Sequence, residues 1–366
     1  MRNVIVIGSG NLEFLLRPED SSVVLGSKHR VTRDCYVGGS GVNISRRLLS
    51  RGIGVLPVLS IGDDDAGHQI LHSLASAARE GGIDELVQPI WSEHQLVNPA
   101  VQTPTSAILV HSNQRTIFQQ RLGTAAGYLA ALESRFDQGI GSSLGCDAVV
   151  LGHVPAGQDG DESAGATVKR LIEKIPSDVW SYVVLGGSQL RLGWEYWKDH
   201  LCEPIDVLQL NLKEAQRFFA PGNLTAGLSE VLDIARSTGM SVVLTLDRFG
   251  AIAIKPDDPG LWMVWPVIRN RDVQDATGAG DAFAAGAVAQ LVECSELSVD
   301  DYTRMLQGAS HWAGAACATM GGSGSEPGAE LQQFLESHPL CNEANVEVRK
   351  DASAQELVNF LGLAFQ

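Results

Sequence analysis

Short runs of β-branched and other apolar residues alternate with longer stretches of helical spacing through most of this chain. Residues 4–7, 55–60, 147–151, 182–185, 205–210 and 242–246 are nearly continuous in apolar side chains, the pattern of strands covered on both faces. Between several of them lie stretches with helical periodicity, at residues 44–50, 66–79, 163–174 and 228–237. Parallel strands cannot be joined by a tight hairpin and need a crossover, for which a helix is the usual solution. The alternation therefore predicts an α/β fold of three layers (αβα), with helices on both faces of a mainly parallel central sheet.

Two segments depart from that pattern. Residues 12–36 and about 102–122 alternate polar and apolar positions, and are expected to form a small β-sheet that projects from the main domain as a lid. The main domain is expected to span residues 1–337, closing with helix past Pro327. Residues 338–366 read as a C-terminal extension. Its last piece, 354–365, has helical apolar spacing at Leu357, Phe360, Leu361 and Phe365, and is expected to pack on the core or on a partner subunit.

With 44% hydrophobic and 19% charged residues, a chain of 366 residues can bury a large core, and wholesale disorder is excluded. The net charge of −16 argues against a nucleic-acid surface, which needs clustered Lys and Arg. It does not argue against a nucleotide, which is held by local backbone amides and Mg²⁺. The six cysteines, at 35, 146, 202, 294, 317 and 341, form no C-x-x-C pair and are expected to be small buried hydrophobes in a reducing compartment. The N-terminus lacks the apolar core and cleavage site of a secretory signal. No apolar run approaches the ~20 residues of a membrane span, and the longest candidate is broken by Gln290. A cytoplasmic protein without nucleic-acid or membrane partners is expected.

The strongest chemical signal is Asp275-Ala276-Thr277-Gly278-Ala279-Gly280-Asp281, which runs directly into the apolar stretch 282–288. Side chains this small leave backbone N–H groups open to a ligand. The apolar run behind them reads as a buried helix, so those amides stand at a helix N-terminus, where orphan donors and the helix dipole favour an anion. Asp281 would be pinned beside that anion, within reach of a hydroxyl about to attack a phosphoryl group. Such transfers need positioning, charge stabilisation and a proton acceptor. An ordinary helix start capped by Asp is the plainer alternative.

The string resembles the D-x-T-G-A-G-D signature of the ribokinase-like (PfkB) carbohydrate kinase family. The resemblance implies an ATP-dependent small-molecule kinase with a ribokinase-like fold. Asp281 would be the catalytic base, and the Gly278, Ala279 and Gly280 amides the anion hole. Asp275 and Thr277 would help hold a monovalent cation, for which K⁺ is the candidate. Other segments resemble the family in order and spacing. Gly38-Gly39-Ser40-Gly41-Val42-Asn43 is similar to its glycine-rich substrate segment, which implies that Gly39 and Gly41 let the backbone approach a sugar and that Asn43 binds hydroxyls. Asn211-Leu212-Lys213-Glu214 resembles its N-x-x-E motif, which places Glu214 near Mg²⁺ through water; a helix cap explains the same four residues. Asp63, Asp64 and Asp65 are expected to make a turn and a cap rather than a metal site. Arg115-Thr116-Ile117 resembles the family's lid strand, and a homodimer could form through the lid.

Three positions depart from the family pattern. Glu13 stands where many members have a substrate-binding Asp, and reaches one methylene further. Thr245-Leu246-Asp247-Arg248-Phe249-Gly250 resembles the nucleotide loop T-x-G-x-x-G, marking Thr245, Asp247 and Gly250, but Asp247 replaces the first Gly. Ser40 occupies a position that is Lys in ribokinases, and its neutrality favours an uncharged substrate. A dehydrogenase is disfavoured because Gly8-Ser9-Gly10 lacks the third glycine of its fingerprint, and no Gly-Lys-Ser/Thr exists for a Walker site. A non-catalytic nucleotide- or sugar-binding protein that retains the kinase fold is the remaining alternative: the intact Asp281 argues against it, and Asp247 argues for it.

Overall fold

The computed structural model describes residues 1–19, 22–24, 26–59, 61–94, 96–99, 101–111, 114–120, 125–140, 145–154, 162–201, 205–219, 224–256, 258, 260–268, 272–319, 327–338, 346–349 and 356. In chain order, β1 (Asn3–Gly8), β2 (Asn11–Pro18) and β3 (Val31–Gly38) lead into α1 (Ser40–Leu49). Then come β4 (Gly54–Leu59), β5 (Ile61–Gly62), α2 (Asp65–Glu80), α3 (Asp84–Glu93) and β6 (Val97–Asn98). The hairpin of β7 (Thr105–His111) and β8 (Gln114–Gln119) precedes α4 (Ala125–Ile140), β9 (Ala148–Leu151), α5 (Glu162–Glu173) and β10 (Trp180–Val184). Next are α6 (Gly187–Leu190), α7 (Trp194–Leu201), β11 (Val207–Asn211), α8 (Leu212–Phe219), α9 (Leu224–Thr238) and β12 (Ser241–Thr245). A second hairpin, β13 (Ala251–Ile254) and β14 (Leu261–Val264), leads to α10 (Ala279–Leu291), α11 (Val299–Cys317), α12 (Pro327–Ser337) and β15 (Val346–Arg349).

Among the described residues the main sheet has nine strands in the order β15-β14-β13-β12-β11-β10-β9-β1-β4. The six strands from β12 to β4 are parallel to their neighbours, and β13, β14 and β15 complete the sheet antiparallel. All six predicted strands are present within two residues of their expected bounds. Their residues are buried on both faces, as in Ala148–Leu151 of β9 and Gly54–Leu59 of β4, which explains why alternation is missing from their sequences. Each fully buried Val, Leu or Ile contributes roughly 1.5–3 kcal/mol, so this apolar slab dominates the stability of the fold.

β1 has β4 on one side and β9 on the other, so the crossovers diverge at its carboxyl end and leave a crevice there. Short polar residues tie the crevice together. The Ser40 amide donates to Ser9 Oγ at 3.1 Å, and the His153 amide, just past β9, donates to Ser40 Oγ at 3.0 Å. The start of α1 is thereby held against the ends of β1 and β9.

Only Ser9 and Gly10 separate β1 from β2, and at this link the chain leaves the main sheet for a second one, of order β3-β2-β7-β8. β2 and β7 pair parallel, the outer pairs antiparallel. These strands fall in the two segments predicted to form a small separate sheet, with β2 starting one residue before the first segment and β3 running two residues past it. Asp64 caps α2, accepting from the Gly67 amide at 2.8 Å and from the Thr103 amide at 2.9 Å, so the Asp63–Asp65 run is a turn and cap as expected.

Two expectations need correction. Val346–Arg349, placed by sequence in an appended extension, forms β15 and pairs with β14 over four residues; four residues are too few to give a periodic signal. The predicted helix at 354–365 lies outside the described residues except for residue 356. Cys35 is exposed and Cys146, Cys294 and Cys317 are half-buried, not the fully buried hydrophobes expected; all four carry free thiols. Among the described residues no helix is long and apolar enough to cross a membrane.

Candidate active site

The Asp275–Asp281 string folds as a tight turn into a buried helix. Asp275, only 7% exposed, accepts from the Thr277 amide at 2.9 Å and from Thr277 Oγ1 at 2.7 Å, which curls the backbone. Gly278 then adopts φ 73°, a left-handed conformation in which a Cβ would be strained, and serves as N-cap of α10. The Ala279 amide closes the turn on the Ala276 carbonyl at 3.2 Å. The amides of Gly280 and Asp281 belong to the open first turn of α10, a helix buried along almost its whole length.

Asp281 is reached from α1, which packs against α10. Asn43, on α1 and 7% exposed, donates from Nδ2 to Asp281 Oδ2 at 2.8 Å. Burial pushes the Asp281 carboxyl above the ordinary Asp value, while the Asn43 hydrogen bond and the Arg47 guanidinium pull it down. Glu214 and Asn211 make a reciprocal cap at the start of α8: the Asn211 amide donates to Glu214 Oε2 at 2.9 Å, and the Glu214 amide to Asn211 Oδ1 at 2.9 Å. Burial also pushes the Glu214 carboxyl up, with the negative charge of Asp281 adding to it and the Asn211 hydrogen bonds opposing it.

A cavity of about 560 Å³ joins these groups. Asn211, Glu214, Thr245, Asp247, Gly250, Gly280 and Asp281 all line it. The Thr245 hydroxyl is 3.5 Å from the Leu210 carbonyl. Asp247 opens a 3₁₀ turn with φ 58°, the one non-glycine residue at positive φ among the described residues. The backbone therefore keeps the conformation a glycine would take, although the side chain is a carboxylate.

Glu13, Gly39, Gly41 and Asn43, the predicted substrate residues, do not line this cavity. Glu13 sits on β2 in the small sheet and accepts from Asn11 Nδ2 at 3.2 Å. A Cβ on Gly39, which has φ 97°, would stand 2.5 Å from the Ser9 carbonyl oxygen, and one on Gly41 would stand 2.6 Å from a Leu59 methyl. The chain's own packing therefore requires glycine at both places. Asn43 alone of the four touches Asp281. Among the described residues no three His, Cys, Asp or Glu gather as a metal cluster.

Residues 197–328, which carry Glu214, Asp247 and the Asp275–Asp281 turn, match the family described as pfkB family carbohydrate kinase. The chain has the ribokinase fold. It superimposes on ribokinase from Giardia lamblia with a TM-score of 0.65 at 17% identity, covering 92% of this chain and 99% of that one. Ribokinase from Cryptococcus neoformans var. grubii, solved in complex with ADP, gives 0.61 at 18% identity, covering 92% and 99%. Nucleoside kinase from Burkholderia thailandensis, solved in complex with inosine, gives 0.63 at 18% identity, covering 92% and 98%. No curated protein sequence matches the chain.

On this ribokinase fold, two residues near the turn escaped the sequence reading. Gln209, 3% exposed within β11, donates to the Gly280 carbonyl at 3.0 Å and accepts from the Tyr182 hydroxyl at 2.7 Å. An amide in the middle of an apolar strand was the available signal. Arg47, 3% exposed on α1, follows Asn43 by one helical turn. Its position at i+4 from a candidate site residue was the corresponding clue.

Proposed function

We propose that the chain is an ATP-dependent kinase that transfers the γ-phosphoryl group to a hydroxyl of a sugar, polyol or nucleoside. The observation that carries this is the placing of Asp281: it stands in the first turn of α10, held by Asn43, and lines one cavity together with Thr245, Asp247 and Gly250. The pfkB match and the ribokinase fold support a phosphotransferase of the carbohydrate kinase class. The ADP and inosine complexes of the two relatives support an adenine nucleotide as donor and nucleosides among the acceptors to be tried.

In this mechanism the acceptor hydroxyl gives its proton to the Asp281 carboxylate as its oxygen bonds to the γ-phosphorus. The bond to the β–γ bridging oxygen breaks, and ADP leaves with that electron pair. Backbone amides at the Gly278–Gly280 turn stabilise the charge on the transferring group. Glu13, Asn43 and the Gly39–Gly41 segment bound the acceptor side, and the small sheet acts as a lid that excludes water. Thr245, Asp247 and Gly250 bound the nucleotide. The negative charge of Asp281 adds to the upward shift of the Glu214 carboxyl, so positive charge brought near Glu214 fits the charges present. Bound with the nucleotide, Mg²⁺ would neutralise phosphate charge, held through water by Glu214; K⁺ would lie by Asp275 and Thr277. Ile117 and Phe118, 63% and 60% exposed on edge strand β8, suit pairing of the lid with a second copy, which sedimentation at micromolar protein would detect.

The test is ATP consumption with Mg²⁺ and K⁺ against sugars, sugar phosphates and nucleosides. Turnover with one class is expected, with a loss of about 10²–10⁴-fold in kcat for Asp281→Asn and nearly unchanged ATP binding. Full turnover in that variant would remove Asp281 as the base. Failure to bind ATP would favour a binding protein that retains the fold.

A further inference from the structure

Arg47 is a charged side chain where a helix packed in the interior usually has an apolar one. It is 3% exposed, on a helix nine of whose ten residues are buried. A guanidinium taken out of water is expensive to hold unless carboxylates compensate it. Helical arithmetic says where it points. Residues 43 and 47 share a face of α1, and Asn43 reaches Asp281 at 2.8 Å, so that face is turned to the first turn of α10. Long helical side chains run back toward the N-terminus of their helix, which carries the Arg47 head toward Asn43 and Asp281.

We propose that Arg47 is a positioning residue for Asp281, holding its carboxyl group ionised and aligned so that it can accept the hydroxyl proton. The inference rests on the reading of Asp281 as the base. The charges around the pair are few. Arg47 faces Asp281, Glu330 near the start of α12, its neighbour Arg46 and the Cys317 thiol at the end of α11; Asp281 faces Arg47 from α1 and Glu214 from α8. Burial brings Arg47 down to about 10, with Asp281 the largest opposing influence, so the guanidinium is cationic at neutral pH. Of the two groups that favour the Asp281 carboxylate, Asn43 supplies a hydrogen bond and Arg47 supplies the only full positive charge.

The experiment is a pH titration of the Asp281 carboxyl by ¹³C NMR on protein labelled at aspartate side chains, with the resonance assigned by its loss in Asp281→Asn. In Arg47→Met the Asp281 titration should move to higher pH, and in Arg47→Lys it should return toward the wild-type position. Arg47→Gln, polar but uncharged, carries the same test if the Met variant does not fold. An unchanged titration in the neutral variants, or an equal displacement in Arg47→Lys, would overturn the proposal. The reading of Asp281 as the base fails separately, on retained phosphoryl transfer in Asp281→Asn, which leaves the titration result untouched.

Discussion

Asn43 and Asp281, 238 positions apart in the chain, are joined by a 2.8 Å hydrogen bond between the amide of one and the carboxylate of the other. The bond crosses the contact between α1 and α10 and holds a carboxylate that lines the cavity. It opposes burial only in part, so the Asp281 carboxyl is left above its ordinary value. A carboxyl whose folded pKa exceeds its unfolded one gives stability that is present below the unfolded pKa and lost as pH rises through the folded pKa. Asp281→Asn keeps the shape and removes the charge. The variant should therefore melt at a higher temperature than wild type at pH 7, and the gap should close as pH falls below about 4, where both side chains are neutral. Calorimetry at the two pH values checks this; a variant less stable than wild type at pH 7 would contradict it.

Asp247 combines two disadvantages, a positive φ and a negative charge beside the predicted nucleotide site. Asp247→Gly should tighten Mg·ATP binding in a calorimetric titration, because it removes a carboxylate and permits the same backbone. Asp247→Ala also removes the charge but lacks both glycine's freedom and the local hydrogen bonding that lets Asp occupy this region. It should lower stability by about 1 kcal/mol. Equal stability of the Gly and Ala variants would show that φ is not the constraint.

The packing of Gly39 against the Ser9 carbonyl makes a structural prediction at a position the family resemblance would give to substrate. Gly39→Ala places a Cβ 2.5 Å from a backbone oxygen, at φ 97°. Neither atom can yield without moving the link between β1 and β2. The variant should lose about 2 kcal/mol or more, seen in the denaturation midpoint, whether or not a ligand is present. An unchanged midpoint with weakened acceptor binding would return Gly39 to the substrate role.

Removing the chain beyond residue 338 strips β15 from β14. The four residues of β14 are fully buried, so the truncation bares an apolar strand edge with unpaired N–H and C=O groups. The shortened protein should melt several degrees lower and scatter light in a concentration-dependent way. A truncated chain as stable and monodisperse as the full one would mean that β15 is dispensable.

What could be read from sequence depended on how many residues carried each signal. The parallel strands were legible because burial on both faces writes itself into every residue of 147–151 or 242–246. The Asp275–Asp281 turn was legible because left-handed backbone, short side chains and a following apolar helix all leave marks on consecutive positions. β15 was not, because four residues at an edge, three of them exposed, carry no periodicity. Gly39 and Gly41 were visible as glycines, but their packing cause was not, since a Cβ clash with Ser9 or Leu59 depends on a contact between distant segments. Arg47 and Gln209 were passed over for the same reason: a buried polar side chain has meaning only through its partner, and the partner lies on another element.

Gln209 is the plainest test of that last point. Its side chain bridges the fully buried Tyr182 hydroxyl and the Gly280 carbonyl, so strands β10 and β11 are hydrogen-bonded to the first turn of α10. Burial pushes the Tyr182 phenol far up, which keeps it a donor at any working pH. Gln209→Leu removes both bonds and strands a buried hydroxyl, which should cost about 1–3 kcal/mol. Tyr182→Phe removes the hydroxyl but leaves the Gln209 oxygen without its donor. The double variant should therefore be more stable than the sum of the single losses predicts, by roughly 1 kcal/mol, because the stranded partners are absent together. Under the kinase reading, Gln209→Leu should also lower turnover more than ATP binding, since it loosens the turn that holds the transferring group. Strict additivity in the denaturation cycle would mean that the two side chains do not act as one connection to Gly280.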